Sequence, residues 1–185
     1  MRAVFSLGLA ALLLSACALG TPPPAPALFD LGPQPASGST AVALNLTELS
    51  APSWLAGTGI PYRLAYADAY RRELYRDSRW VAPPAALLGE RLRRTAAAAG
   101  RSGEAKPVSL RLELEEFSQN FSAPGRAEVT VRLRAWRGDA QMRVFEVTRP
   151  TTSADAPGAV RALSEASDAL IDQLLAWAAA STRAF

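Results

Sequence analysis

The sequence predicts an α+β fold, a mostly antiparallel sheet with two main helices packed on one face. Three observations predict it. Segments 108–115 and 127–136 alternate between apolar residues and polar or charged ones. Segments 85–99 and 156–180 carry apolar residues at helical spacing. The order along the chain is strands, helix, strand meander, helix, which suits two layers around one core.

The N-terminus comes first. Arg2 supplies a positive charge, residues 3–14 are apolar, and Leu14-Ser15-Ala16-Cys17 closes the run. That run is too short to span a bilayer, which needs about 20 residues. A charged start, a short apolar run and small residues at the cut describe a secretory signal peptide over 1–16. Leu-Ser-Ala-Cys resembles a bacterial lipobox, which implies cleavage before Cys17, diacylglycerol on its thiol and acylation of the new amino group. Two or three chains hold a protein stably where one holds it marginally, since each buried methylene contributes about 0.8 kcal/mol. Ala18 is not the aspartate that favours inner-membrane retention in enterobacteria, which points to the outer membrane. Pro22, Pro23, Pro24 and Pro26 make 17–27 an extended tether.

Each element of the domain, placed at 28–180, then has its own signal. Residues 28–31 suit a short strand, and 33–40 a Pro/Gly/Ser loop. Val42, Leu44 and Leu46 alternate within a strand at 41–47. Residues 53–59 are a loop. Ile60, Tyr62, Leu64 and Tyr66 mark a strand that pairs as a hairpin with 75–81, residues 68–73 being its turn. Pro83-Pro84 opens the first helix, with Leu88, Leu92, Thr95, Ala96 and Ala99 buried and Gly100 as its C-cap. Val108, Leu110, Leu112 and Leu114 face Val129, Val131, Leu133 and Ala135 across an antiparallel pair. Its other face is mixed in charge. A third strand at 142–149 follows a turn at Gly138-Asp139. Asp155 caps the last helix, with Pro157 in its first turn. Residues 181–185 are left as a tail.

Composition excludes several function classes. Removing 16 of 185 residues leaves 169, enough for one domain. The mature chain has 19 Lys+Arg against 17 Asp+Glu, or +2, with no basic block suited to nucleic acid. There is no histidine, so Ser-His-Asp and Cys-His catalysis are excluded. Cys17 is the sole cysteine, so no disulfide forms within the chain.

No catalytic, cofactor or metal residue emerges, and no enzyme is expected. Glu115 and Glu116 point to opposite faces of a strand unless a bulge intervenes to let Phe117 rejoin the apolar face. Asp168 and Asp172 share a helix face that is read as solvated rather than as a cation site. Asn45-Leu46-Thr47 and Gly57-Thr58-Gly59 belong to a strand and a loop. The aromatic residues between 54 and 80 are interleaved with arginines. Core packing is the default reading. The alternative is a partner surface of Trp54, Tyr62, Arg63, Tyr66 and Trp80, since Trp, Tyr and Arg are favoured at interface centres. Protein and lipid-headgroup contact both remain open for it.

The lipobox, the proline tether, Phe29-Asp30-Leu31-Gly32, Leu49–Leu55 (LSAPSWL), Tyr62–Tyr66 (YRLAY) and Ser78–Pro84 (SRWVAPP) occur in this order. Together, over 29–177, they resemble the ABC-type transport auxiliary lipoprotein family, which includes the paraquat-inducible protein C group. The resemblance implies a non-catalytic docking subunit at the periplasmic face of the outer membrane. Its implied partners are a periplasmic MCE-domain protein and, through it, an inner-membrane ABC permease, with a homo-oligomer in some relatives. The alternative is an envelope assembly factor for lipopolysaccharide or another outer-membrane component, without a transporter partner.

Overall fold

The computed structural model describes residues 24–34, 42–98, 107–138 and 141–180. The signal peptide, Cys17, most of the tether, the expected cap at Gly100, Asp139 and the tail lie outside the described residues. Among the described residues seven strands form one sheet: β1 (Ala27–Phe29), β2 (Leu44–Ser50), β3 (Gly59–Leu64), β4 (Glu73–Trp80), β5 (Val108–Ala123), β6 (Arg126–Arg137) and β7 (Gln141–Pro150). The helices are α1 (Pro84–Ala98) and α2 (Ala156–Ala180), and a 3-10 turn spans Ser53–Leu55.

The sheet runs β1-β4-β3-β5-β6-β7, with β2 also paired to β5. The two long ladders, β5–β6 and β6–β7, are antiparallel, as is the β3–β4 hairpin. Three short ladders are parallel: β1–β4, β2–β5 and β3–β5. Strand β5 makes this possible because it is long. Its first half pairs with β2 and its second half with β3, along the same edge. The alternation at 108–115 predicts only the first half of this strand. The rest is hidden by a register shift between Leu114 and Glu116. This bulge restores Phe117 to the core side, opposite Val131.

The β5–β6 turn is Pro124-Gly125, with Gly125 at φ +73°. Proline followed by a positive-φ glycine is the signature of a type II turn. Helix α2 begins as its sequence predicts. The Gly158 N–H donates to Asp155 Oδ1 at 2.7 Å, satisfying one of the free donors of the first turn.

The core lies between the sheet and the helices. Leu110, Leu112, Leu114 and Phe117 from β5, and Val129, Val131, Leu133 and Ala135 from β6, meet Leu163, Leu170, Ile171 and Leu174 from α2. Helix α1 adds Leu88 and Leu92. The other sheet face is a ladder of opposite charges. Arg132 pairs with Glu115 and Glu146, and Arg134 with Glu113 and Glu115.

Candidate functional site

Two regions carry the polar chemistry of this fold. The first is a buried joint between the segment after β1 and the helices. After β1 the chain turns at Gly32, whose φ is +68° and whose N–H donates to Asp30 Oδ1 at 2.7 Å. The strap Leu31–Pro33 then crosses both helices. Arg91 of α1 is 4% exposed. Its Nε and Nη2 donate to the two carboxylate oxygens of Asp168 on α2, at 2.7 and 2.9 Å. Its Nη1 donates to the Gly32 carbonyl at 2.8 Å and its Nη2 to that of Pro33 at 3.2 Å. Ser164 of α2 donates to the Leu31 carbonyl, and Gln34 Nε2 to Thr95 Oγ1 at 2.9 Å. One guanidinium thus ties three chain segments together by charge-assisted bonds.

This corrects the reading of Asp168 as part of a solvated face. Half of that aspartate pair is committed to a buried ion pair, and Asp172 also has an interaction partner. Arg91 was not singled out by its sequence context, since α1 also carries Arg93 and Arg94, both well exposed. Its position three residues after Leu88 and one before Leu92 is the available signal. Beside the strap lies a cleft of about 440 Å³, walled by Leu28, Phe29, Val81 and Val160, with Arg161 and Glu165 also lining it.

The second region is the end of the sheet where the β3–β4 loop and the β5–β6 turn meet. The five residues predicted as a partner surface do not all gather there. Trp80 is 1% exposed and packs edge-on against Phe117 at 5.6 Å, so it is core rather than surface. Tyr62 is half-buried, 4.7 Å from the Tyr75 ring, and donates to Glu73 at 2.5 Å. Arg63 is half-buried and donates to the Ala69 carbonyl at 2.9 Å, holding the loop. Trp54 stays at the surface under the Arg72 guanidinium, 3.7 Å from its ring centre. Tyr66 is exposed, and so is Tyr70, which the expected surface omits.

Glu115 and Glu116 fall at the bulge, and each is committed to arginine. Glu116 accepts both Nη groups of Arg72 at 2.7 Å and the Ser118 hydroxyl at 2.6 Å. Burial pushes the Glu116 carboxyl up, but the Arg72 and Ser118 hydrogen bonds and the charges of Arg72 and Arg63 outweigh it and hold it below the usual range. Tyr75 donates to Gln119 at 2.5 Å. Burial pushes its phenol up to about 12, helped by the charges of Asp155 and Tyr62. Among the described residues no group of three His, Cys, Asp or Glu side chains could hold a metal ion. No helix among them is long and apolar enough to cross a membrane.

The fold has known relatives. A crystal structure of a Xanthomonas campestris protein of the DUF330 family superposes with a TM-score of 0.62 at 18% identity, over 84% of this chain and 91% of that one. A crystal structure of an uncharacterized protein superposes at 0.60 and 13% identity, over 83% and 99%. No curated protein matches. The model of the ABC-type transport auxiliary lipoprotein component matches residues 29–175, from β1 through most of α2. The chain belongs to that family.

Proposed function

We propose that this protein is a lipid-anchored docking subunit of an MCE/ABC-type lipid-transport system, held at the periplasmic face of the outer membrane. The family assignment over 29–175 carries this reading, because it names an auxiliary lipoprotein of ABC-type transport. Leu14–Cys17 supplies the acylation site that such a protein needs. The work of the domain is positional. Acyl chains on Cys17 hold one end in the membrane, the proline tether sets the reach, and the domain binds an MCE-domain protein coupled to an inner-membrane ABC permease. The Arg91 joint supports the same reading, since it locks the strap that follows the tether onto both helices.

The protein acts without catalysis. Its enclosed charges are paired with one another, Arg91 with Asp168 and Glu116 with Arg72.

Two measurements test the proposal. Cys17→Ala should abolish incorporation of a tagged palmitate and release the chain from membranes. Affinity capture of the wild-type protein from solubilised envelopes should recover an MCE-domain protein. Labelling that survives the substitution would remove the anchor. Repeated recovery of a β-barrel or lipopolysaccharide assembly factor instead would replace the transport role with envelope assembly.

A further inference from the structure

We infer that the end of the sheet bearing the β3–β4 loop and the β5–β6 turn rests against the phospholipid bilayer that holds the anchor. The inference rests on acylation of Cys17, and it adds an orientation and a lipid-contacting surface to it.

The path of the chain gives the orientation. Strand β1 runs parallel to β4, with Ala27 beside Ser78. Since β4 leads away from the β3–β4 loop, the chain must enter β1 from the loop end. From the level of Ser78 to the start of β4 at Glu73 is about 17 Å at ~3.3 Å per residue. The segment from Cys17 to Ala27 reaches at most about 35 Å when fully extended. It is therefore long enough to carry the acylated residue past the loop. To bring the opposite end to the same bilayer, it would have to reverse and run back along β5 from the level of Phe117 to Val108, about 30 Å at ~3.3 Å per residue, which uses nearly all of that reach.

The surface at that end suits a bilayer interface. Tyr70 is 97% exposed and Tyr66 48%, and neither ring is needed by the core. Asp68 Oδ1 accepts the Tyr70 N–H at 2.9 Å, and the Tyr66 N–H donates to the Phe121 carbonyl. Both tyrosines thus project from a braced loop beside the last residues of β5. Tyrosine is enriched at membrane–water interfaces because its ring is apolar and its hydroxyl is wet. Arg71 in the loop, ion-paired with Glu73 at 2.8 Å, and Arg126 in the adjoining turn are exposed beside them, where phosphate groups would lie. At the far end of the sheet the exposed side chains include Met142, and no exposed tyrosine occurs there among the described residues.

The test uses the full acylated chain in vesicles of phosphatidylethanolamine and phosphatidylglycerol. Because Cys17 is the sole cysteine and is blocked by acylation, a fluorophore can be placed singly by Ala69→Cys or Met142→Cys. A quencher carried on lipid near the headgroup should quench the Ala69→Cys label severalfold more than the Met142→Cys label. Equal quenching at both sites, or stronger quenching at Met142→Cys, overturns the inference. Adding Tyr66→Ser and Tyr70→Ser should cut quenching at Ala69→Cys at least twofold, and an unchanged value overturns the role of the tyrosines. Acyl labelling of the same preparations separates the two claims. A labelled chain with an unquenched loop rejects this orientation alone, whereas an unlabelled chain rejects the anchor itself. If the loop is unquenched on vesicles and becomes protected only when an MCE-domain protein is added, the surface belongs to a protein partner.

Discussion

Arg91 shows how one residue can decide the assembly of a fold. A guanidinium that is 4% exposed would be costly alone, but each of its nitrogens has an acceptor. Removing one partner of a buried pair leaves the other uncompensated, at about 3–5 kcal/mol. Arg91→Ala should therefore lower unfolding free energy by about 3 kcal/mol in urea titration. Arg94→Ala, whose partner Glu90 is exposed one turn away, should change it by less than about 0.5 kcal/mol. Comparable losses at the two positions would contradict the buried joint. Glu116 makes a second residue-scale prediction. Its carboxyl is depressed in the folded state, so the fold binds that proton less tightly than the unfolded chain. The stabilisation is present above the ordinary carboxylate range and is lost as pH falls through the depressed value. Glu116→Gln should flatten this acid limb of the stability–pH curve. An acid limb as steep as that of the wild type would assign the loss to other carboxylates.

At the scale of elements, periodicity and capping placed most boundaries within a few residues. The α2 cap at Asp155 and the hairpin of β3 and β4 follow directly from local sequence. The adjacent Glu115 and Glu116 signal the bulge that returns Phe117 to the core side, and the structure has it there. What local sequence hid was how far the strand runs past it, because Ser118, Gln119 and Asn120 do not continue the apolar/charged pattern. The start of α2 yields a prediction whose sign opposes the usual rule. Glycine to alanine in a helix ordinarily stabilises by up to about 1 kcal/mol. A Cβ on Gly158 would lie 2.1 Å from the backbone oxygen of Ser153, so the loop before the helix would have to shift. Gly158→Ala should lower the thermal midpoint, and a raised midpoint would show that the loop yields freely.

On the whole-molecule scale, the core is made by residues between Leu31 and Ala179, all downstream of the anchor. Cys17→Ala should therefore leave the thermal midpoint within about 1 °C of wild type in calorimetry, since a change of ~1 kcal/mol shifts a domain of this size by 2–4 °C. A fall of several degrees would mean that the anchor segment contributes to the fold.

The sequence by itself determined the anchor motif, the α+β class, the two helices and the apolar faces of β5 and β6. These depend on residue type and local period, which a single chain displays. Only the tertiary structure decided that Asp168 joins Arg91, that Trp80 is core while Tyr70 is surface, and that β2 and β3 share one edge of β5 in parallel. Each of these joins residues far apart in the chain, and no spacing rule encodes which distant segment satisfies a buried charge or covers a ring. The residues proposed as a partner surface divide along the same line. Their types suited an interface, but their exposure was set by what packs over them.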